Sequence, residues 1–152
     1  MKIDPGSTAN FMIAHHLLTD VVVPRPIAWV STEDEHGVFN LAPFSCYGLI
    51  CAKPAVVGIG IGTNRYGQKK DTCRNIEFSK EFVINIVDEN LAEAMNQTSA
   101  PYPREVSEFK EVKLTSVKAD LVKAPMVLES PINMECAYWA RILSDPSPTL
   151  II

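Results

Sequence analysis

The sequence predicts one mainly β domain of barrel type with a few helices. Three observations predict it. The runs 27–32, 38–41, 45–51 and 55–62 are short, apolar and separated by turn residues, the pattern of an all-β barrel or sandwich. Pro43 interrupts the second run; proline cannot donate to a ladder, so this strand belongs at a sheet edge or at a bulge. The chain has 152 residues, of which 47% are hydrophobic and 21% charged. That suits a single domain over residues 1–152 and excludes a disordered chain.

The elements follow in order. Residues 1–20 read as a loose lead-in through Pro5-Gly6-Ser7-Thr8, with a short helical turn at Ala14–Leu18. The adjacent His15 and His16 would point in different directions on that turn, a poor metal site. Val21-Val22-Val23 opens the β-rich region. The first strand is Arg25-Pro26-Ile27-Ala28-Trp29-Val30-Ser31-Thr32, and the acidic turn Glu33-Asp34-Glu35-His36-Gly37, expected to be solvated, leads into Val38–Ser45. The N–H groups of Ala42, Phe44 and Ser45, around the proline, are expected to be free of a neighbouring strand. Lys53-Pro54 ends the third strand.

The fourth strand, Ala55–Gly62, places Gly58, Gly60 and Gly62 on one face and Val57, Ile59 and Ile61 on the other. A bare face admits a ligand, a partner strand or a bulky neighbour. It lacks the GxGxxG spacing of a dinucleotide loop. Asp71 or Thr72 is positioned to cap a helix reaching about Ser79. Phe82–Val87 reads as a buried strand, and Asp88 as the cap of a helix from Glu89 to Gln97. Ser99–Pro103 is a rigid loop and Glu105–Lys110 a helical turn. Leu114–Val122 and Ile132–Ala140 read as later strands, and Thr149–Ile152 as the opening of another.

Bulk properties exclude several functions. A net charge of −4 and a pI near 5.3 argue against nucleic-acid binding, which usually needs a basic surplus. No apolar run approaches the roughly 20 residues of a membrane span, and the N-terminus lacks the apolar core of a signal peptide; a cytoplasmic protein is expected. Cys46, Cys51, Cys73 and Cys136 form no CxxC and read as reduced, mostly buried thiols. Cys46, next to Ser45, is the one placed for a redox role. No metal site is expected. No catalytic residue is assigned: Ser45 has no histidine partner, and the acidic turn lacks the burial that would shift a carboxylate.

Arg65, Lys69, Lys70 and Arg74 crowd around the single acid Asp71. This basic island meets the positive end of the helix beginning near Asp71, a place that suits a phosphate. On the residues alone, a solvated lysine-bearing loop is the favoured reading.

The words RPIAWVST, GVFNLAPFS and KDTCRNI, in this order and at these spacings, resemble the flavin reductase-like family, the FMN-binding split β-barrel proteins that include flavoredoxins. The resemblance runs from about Val21 to about Cys136. It implies FMN as cofactor, with Lys70 and Thr72 near the phosphate, Asp71 among the cofactor-binding residues, and Ser31, Thr32 and Ser45 supplying hydroxyls and backbone. Trp29, Val30, Leu41, Ala42 and Phe44 would build an apolar slot for the ring. N–H groups flanking Pro43 would meet its polar edge, and Asn40 would donate or accept. Taken singly, Trp29 and Phe44 read rather as core. Arg25 or Lys70 would favour the reduced flavin anion.

The implied activity is that of an oxidoreductase moving hydride from NAD(P)H to flavin N5, then electrons to free flavin or a partner protein. The alternatives are a non-enzymatic FMN electron carrier, as in flavoredoxins, and an inactive flavin-binding domain. In such chemistry the cofactor reacts, so no acid–base residue need be present. The family also implies a homodimer with the flavin beside the subunit interface, which the glycine face of 58–62 would suit. Its members continue with further strands that help hold the nicotinamide, so a chain ending at Ile152 is expected to leave a sheet edge open.

Overall fold

The computed structural model of the protein describes residues 11–140. Helix α1 (Phe11–Val21) precedes four strands, β1 (Ala28–Glu33), β2 (Phe39–Phe44), β3 (Tyr47–Ala52) and β4 (Ala55–Ile59). Helix α2 (Asp71–Ser79) leads into β5 (Glu81–Asn85). A 3-10 turn at Glu89–Leu91 runs into α3 (Ala92–Gln97) and is followed by α4 (Glu108–Glu111), β6 (Ser116–Val117), β7 (Met126–Val127) and β8 (Asn133–Ala137).

Pro43 sits where a strand without one N–H can sit. The main sheet has the antiparallel order β2-β1-β5-β8, so β2 is an edge, and Pro43 lies opposite Trp29. The N–H of Leu41 leaves the ladder and donates to Glu108 Oε2 at 2.9 Å. Backbone direction alternates along a strand. Leu41 and Pro43 therefore face outward, while Asn40, Ala42 and Phe44 face β1. This corrects the expectation for Ala42 and Phe44, whose N–H groups point into the sheet. β3 and β4 form a separate hairpin with an irregularity between Leu49 and Cys51, and β6 pairs with β7. Among the described residues the three sheets do not close on one another.

The same alternation divides the side chains between two cores. Ala28, Val30 and Phe44 pack with Ile59, Ile61 and Ile76 on the face that α2 covers. Trp29 and Leu41 pack with Leu91, Phe109 and Val127 on the other. Within this second layer Trp29 Nε1 donates to Thr98 Oγ1 at 2.9 Å. Fully buried Asn85 ties three segments together: its Nδ2 donates to Trp29 O and Ser31 Oγ, each at 3.0 Å, and its Oδ1 accepts from Val127 N at 2.9 Å.

Several elements differ from expectation for identifiable reasons. α1 takes in Val21, so the β-region opens later, and Arg25 Nη1 donates to the Thr19 and Val22 carbonyls at the end of that helix. The strand expected over 114–122 shrinks to Ser116–Val117 because side chains take the backbone donors. Glu135 accepts from the N–H groups of Asp120, Leu121 and Val122, and Glu129 from that of Thr115. These bonds, Leu121's foremost, hold the Glu135 carboxyl below the usual carboxylate range. β4 stops at Ile59, so its glycine pattern continues into a loop in which Gly62 has open space above it. The turn after β1 is not wholly solvated. Asp34 is buried, accepts from His36 N and Val38 N at 2.8 Å, and lies 3.6 Å from Arg104 Nε. Asp88 does cap its turn, accepting from Leu91 N. The expected strand at Thr149–Ile152 lies outside the described residues.

Replacing Asn85 by Ala removes an internal donor and acceptor together and leaves Val127 N and Trp29 O without their partner. Asn85→Ala is expected to destabilise the chain by about 2–4 kcal/mol, measured by urea unfolding. A loss below about 0.5 kcal/mol, the level of an ordinary surface substitution, would show that the network is dispensable.

Candidate functional site

The site grows from the start of α2. The residue at its cap position is Lys70, with extended backbone (φ −66°, ψ 154°) and no capping bond from its side chain. Asp71 and Thr72, expected as caps, are instead the first two helical residues. A lysine has no acceptor to offer, and the first-turn N–H groups of a helix have no intrahelical partner. The helix end thus presents donors and a cation together.

Two side-chain bonds dock this end onto the sheet. Asn40 Nδ2 donates to Thr72 Oγ1 at 2.9 Å, and Asn75 Nδ2 donates to Thr32 Oγ1 at 3.0 Å. Thr72, Asn75 and Thr32 are all buried, and Asn75 Oδ1 is buried without a partner. Lys70 Nζ lies 5.4 Å from the centre of the Phe44 ring, within cation–π range.

The basic island divides its charges. Lys69 is paired with Glu77 at 2.6 Å, Arg74 lies 3.8 Å from Asp71, and Arg65 stacks over Tyr66. Among the described residues Lys70 has no carboxylate partner.

The structure brings together only part of the expected site. Thr32, Asn40, Ala42, Phe44, Lys70, Asp71 and Thr72 share the α2 side of the sheet. Val30 is on that side too, but at 0% exposure it belongs to the core. Trp29, Ser31, Leu41 and Pro43 fall on the opposite parity. Trp29 and Leu41 are buried in the second core, and the Ser31 hydroxyl donates to the Pro125 carbonyl while accepting from Asn85. A slot walled by both Trp29 and Phe44 is therefore not formed. Ser45 lies just past the end of β2, half-buried, beside exposed Cys46; of the four cysteines expected mostly buried, Cys73 is buried and Cys136 half-buried, while Cys46 and Cys51, at the start and on the edge of the separate β3–β4 hairpin, are exposed. A cavity of about 490 Å³ lies elsewhere, between β4 and β8, lined by Ala55, Val57, Phe82, Cys136 and Trp139.

Sequence reading missed Glu108. Only 8% exposed, its side chain sits against the outer edge of β2 and accepts from Leu41 N. Burial pushes its carboxyl up to about 7; the Leu41 bond works against that shift and the negative charge of Asp71 adds to it. A four-residue helix carries no periodicity, so nothing in the local pattern marks this glutamate as buried.

The flavin reductase like domain profile matches residues 21–147, most of the chain. The chain belongs to the flavin reductase-like family. An uncharacterized protein of Halalkalibacterium halodurans is 43% identical over 136 residues, covering 90% of this chain and 65% of that protein. The flavin reductase-like chain thus spans about two thirds of that relative's length. Component B of nitrilotriacetate monooxygenase from Bacillus cereus has a similar structure, with a TM-score of 0.88 and 33% identity over 99% of this chain and 75% of that one. A Shewanella frigidimarina protein with a split barrel domain gives a TM-score of 0.78 at 24% identity, covering 93% of this chain and 71% of that one. The split-barrel fold expected from the sequence is therefore the fold of this flavin reductase-like chain.

Proposed function

We propose that residues 1–152 act as one flavin reductase-like domain that binds FMN on the α2 side of β1–β2 and serves as an NAD(P)H-dependent flavin oxidoreductase in the cytoplasm. The observation that carries this reading is the uncapped start of α2, where Lys70, over the Phe44 ring and without a carboxylate partner among the described residues, precedes Thr72, to which Asn40 donates. Bound there, FMN would supply the two-electron chemistry, accepting hydride and passing electrons on. The chain's own residues bind and orient. Lys70 and the first-turn N–H groups offer charge and donors to the phosphate. Phe44 and Ala42 offer apolar surface, and Asn75 Oδ1 is an acceptor awaiting a hydroxyl donor. The similarity to a monooxygenase component supports a role in supplying electrons to a partner protein or to free flavin. No helix among the described residues is long and apolar enough to cross a membrane.

We also propose a homodimer. Leu17, Leu18 and Val21 on α1, with Leu49 and Ile50 on β3, are large apolar side chains left exposed. Such patches mark interaction surfaces.

Lys70→Ala and Thr72→Val should each weaken FMN roughly ten- to a hundredfold, the scale of a lost charge-assisted hydrogen bond, and riboflavin far less, since only FMN carries the phosphate. Fluorescence titration with both flavins measures this, and equal losses would remove the two residues from the phosphate site.

Stopped-flow mixing of the FMN-loaded chain with NADH or NADPH should bleach the flavin absorbance, as dithionite does. Bleaching by dithionite alone would convert the reading to that of an electron carrier. Light scattering at micromolar concentration should give twice the chain mass of 16.8 kDa, and a monomeric mass with FMN bound would end the dimer proposal.

A further inference from the structure

The segment after α3 braces the β1–β2 pair from outside. Thr98 takes the Trp29 indole N–H, Arg104 pairs with Asp34 in the turn between the strands, and Glu108 takes the Leu41 N–H. Of these three contacts, the Glu108 bond falls on the strand that carries Asn40, Ala42 and Phe44. Pro43, the next outward-facing position, has no N–H at all. Leu41 N is thus the outward donor nearest the site, and a carboxyl of 8% exposure holds it at 2.9 Å.

We propose that Glu108 is a positioning residue for the flavin site: its buried carboxyl holds β2 through the Leu41 N–H, and the charge on that carboxyl sets how tightly an anionic flavin is held. The proposal rests on the flavin reading above and extends it to a residue that touches neither ring nor phosphate.

The charges around Glu108 can be named. From α2 it feels Asp71, which is itself 3.8 Å from Arg74 Nη1. On its own helix stand exposed Lys110 and Glu111, and on α3, Glu93, bonded to Gln97. β2 contributes no titratable side chain.

Burial raises this acid from 4.5 to about 7, so the native chain keeps a proton that the unfolded chain has lost. Its contribution to stability therefore falls as pH rises from about 4.5 to about 7 and is constant beyond. Above that window the ionised group places a negative charge at the outer edge of β2, within electrostatic reach of Asp71 at the start of α2, where an anionic ligand would bind.

The test uses the full chain, wild type against Glu108→Gln and Glu108→Ala. Glutamine keeps an acceptor for Leu41 and removes the charge; alanine removes both. FMN titrations between about pH 5.5 and pH 8.5 should show wild type and Glu108→Gln nearly alike at the acid end. At the alkaline end wild type should be weaker by about fivefold or more, the scale of an ordinary coupling between sites. Comparison at each pH cancels the titration of the FMN phosphate itself.

Hydrogen exchange of the Leu41 amide should be unchanged in Glu108→Gln and faster in Glu108→Ala. Parallel FMN profiles for wild type and Glu108→Gln would overturn the role of the charge. An unaltered Leu41 amide in Glu108→Ala would overturn the positioning. A wild-type chain that binds no FMN would overturn the flavin reading and the charge effect with it. That failure is distinguishable, because the Leu41 amide reports the brace without any flavin.

Discussion

The register between β1 and β2 is the constraint on which the rest depends. Trp29 lies opposite Pro43 and Val30 opposite Ala42, and side chains on a strand alternate between faces. A slip of one residue would exchange the faces. With β2 slipped, Leu41 would leave the core it shares with Trp29, Phe109 and Val127, and Asn40 and Phe44 would turn away from α2. Pro43 helps exclude that slip. In the observed register its missing N–H faces outward, whereas in the slipped one a ladder position would lack a donor. Asn85 holds the same register from the inner side, binding both the Trp29 carbonyl and the Ser31 hydroxyl.

α2 inherits its position from that register. Asn40 and Thr32 sit directly opposite each other on the two strands and meet Thr72 and Asn75 three residues apart on the helix. That spacing puts both helix residues on one face. The helix is thus keyed to the sheet by polar pairs at its start and by Ile76 packed into the core further along. Since the start is keyed, the first-turn N–H groups and Lys70 come to a defined place beside Phe44. A capping serine or aspartate at position 70 would take a first-turn N–H for itself. Lysine there has no acceptor with which to cap.

Much of this was legible in the sequence, and the limits have physical causes. The three words that carry the family resemblance fall on β1, β2 and α2, and proline chemistry confined the Pro43 strand to an edge or a bulge, of which the fold shows the edge. The ordered words could not say which face each residue takes. Trp29 and Phe44 are both aromatic and both adjacent to the site in sequence, yet antiparallel parity sends them to opposite layers. Ser31 and Thr32 look alike as hydroxyl donors. In the fold Ser31 is taken by Pro125 and Asn85, and Thr32 by Asn75. The short length of β6 was hidden for a related reason. Its neighbourhood has strand-like residues, but Glu135 and Glu129, remote in sequence, take the N–H groups a ladder would need.

Polar groups in this fold also explain why the site can be firm without a large local core. Asn85, Ser31, Thr32, Asn75 and Thr72 are all buried, and each makes a hydrogen bond to a group on another element. A hydrogen bond of this kind adds only about 1 kcal/mol to stability, yet breaking one strands a buried partner at greater cost. Such a network therefore penalises displaced arrangements more than it favours the native one. Glu108 is the exception in kind. It is a buried group whose charge can change without any covalent or conformational event, and it bonds to the outer edge of the strand that the polar network fixes from within. Were β2 held only by its ladder to β1, its outer edge would be open along Leu41 and Pro43, and Asn40 and Phe44 would be defined from one side. With Glu108 in place the strand is held from both sides, and the state of one carboxyl bears on the geometry that α2 and β2 offer together.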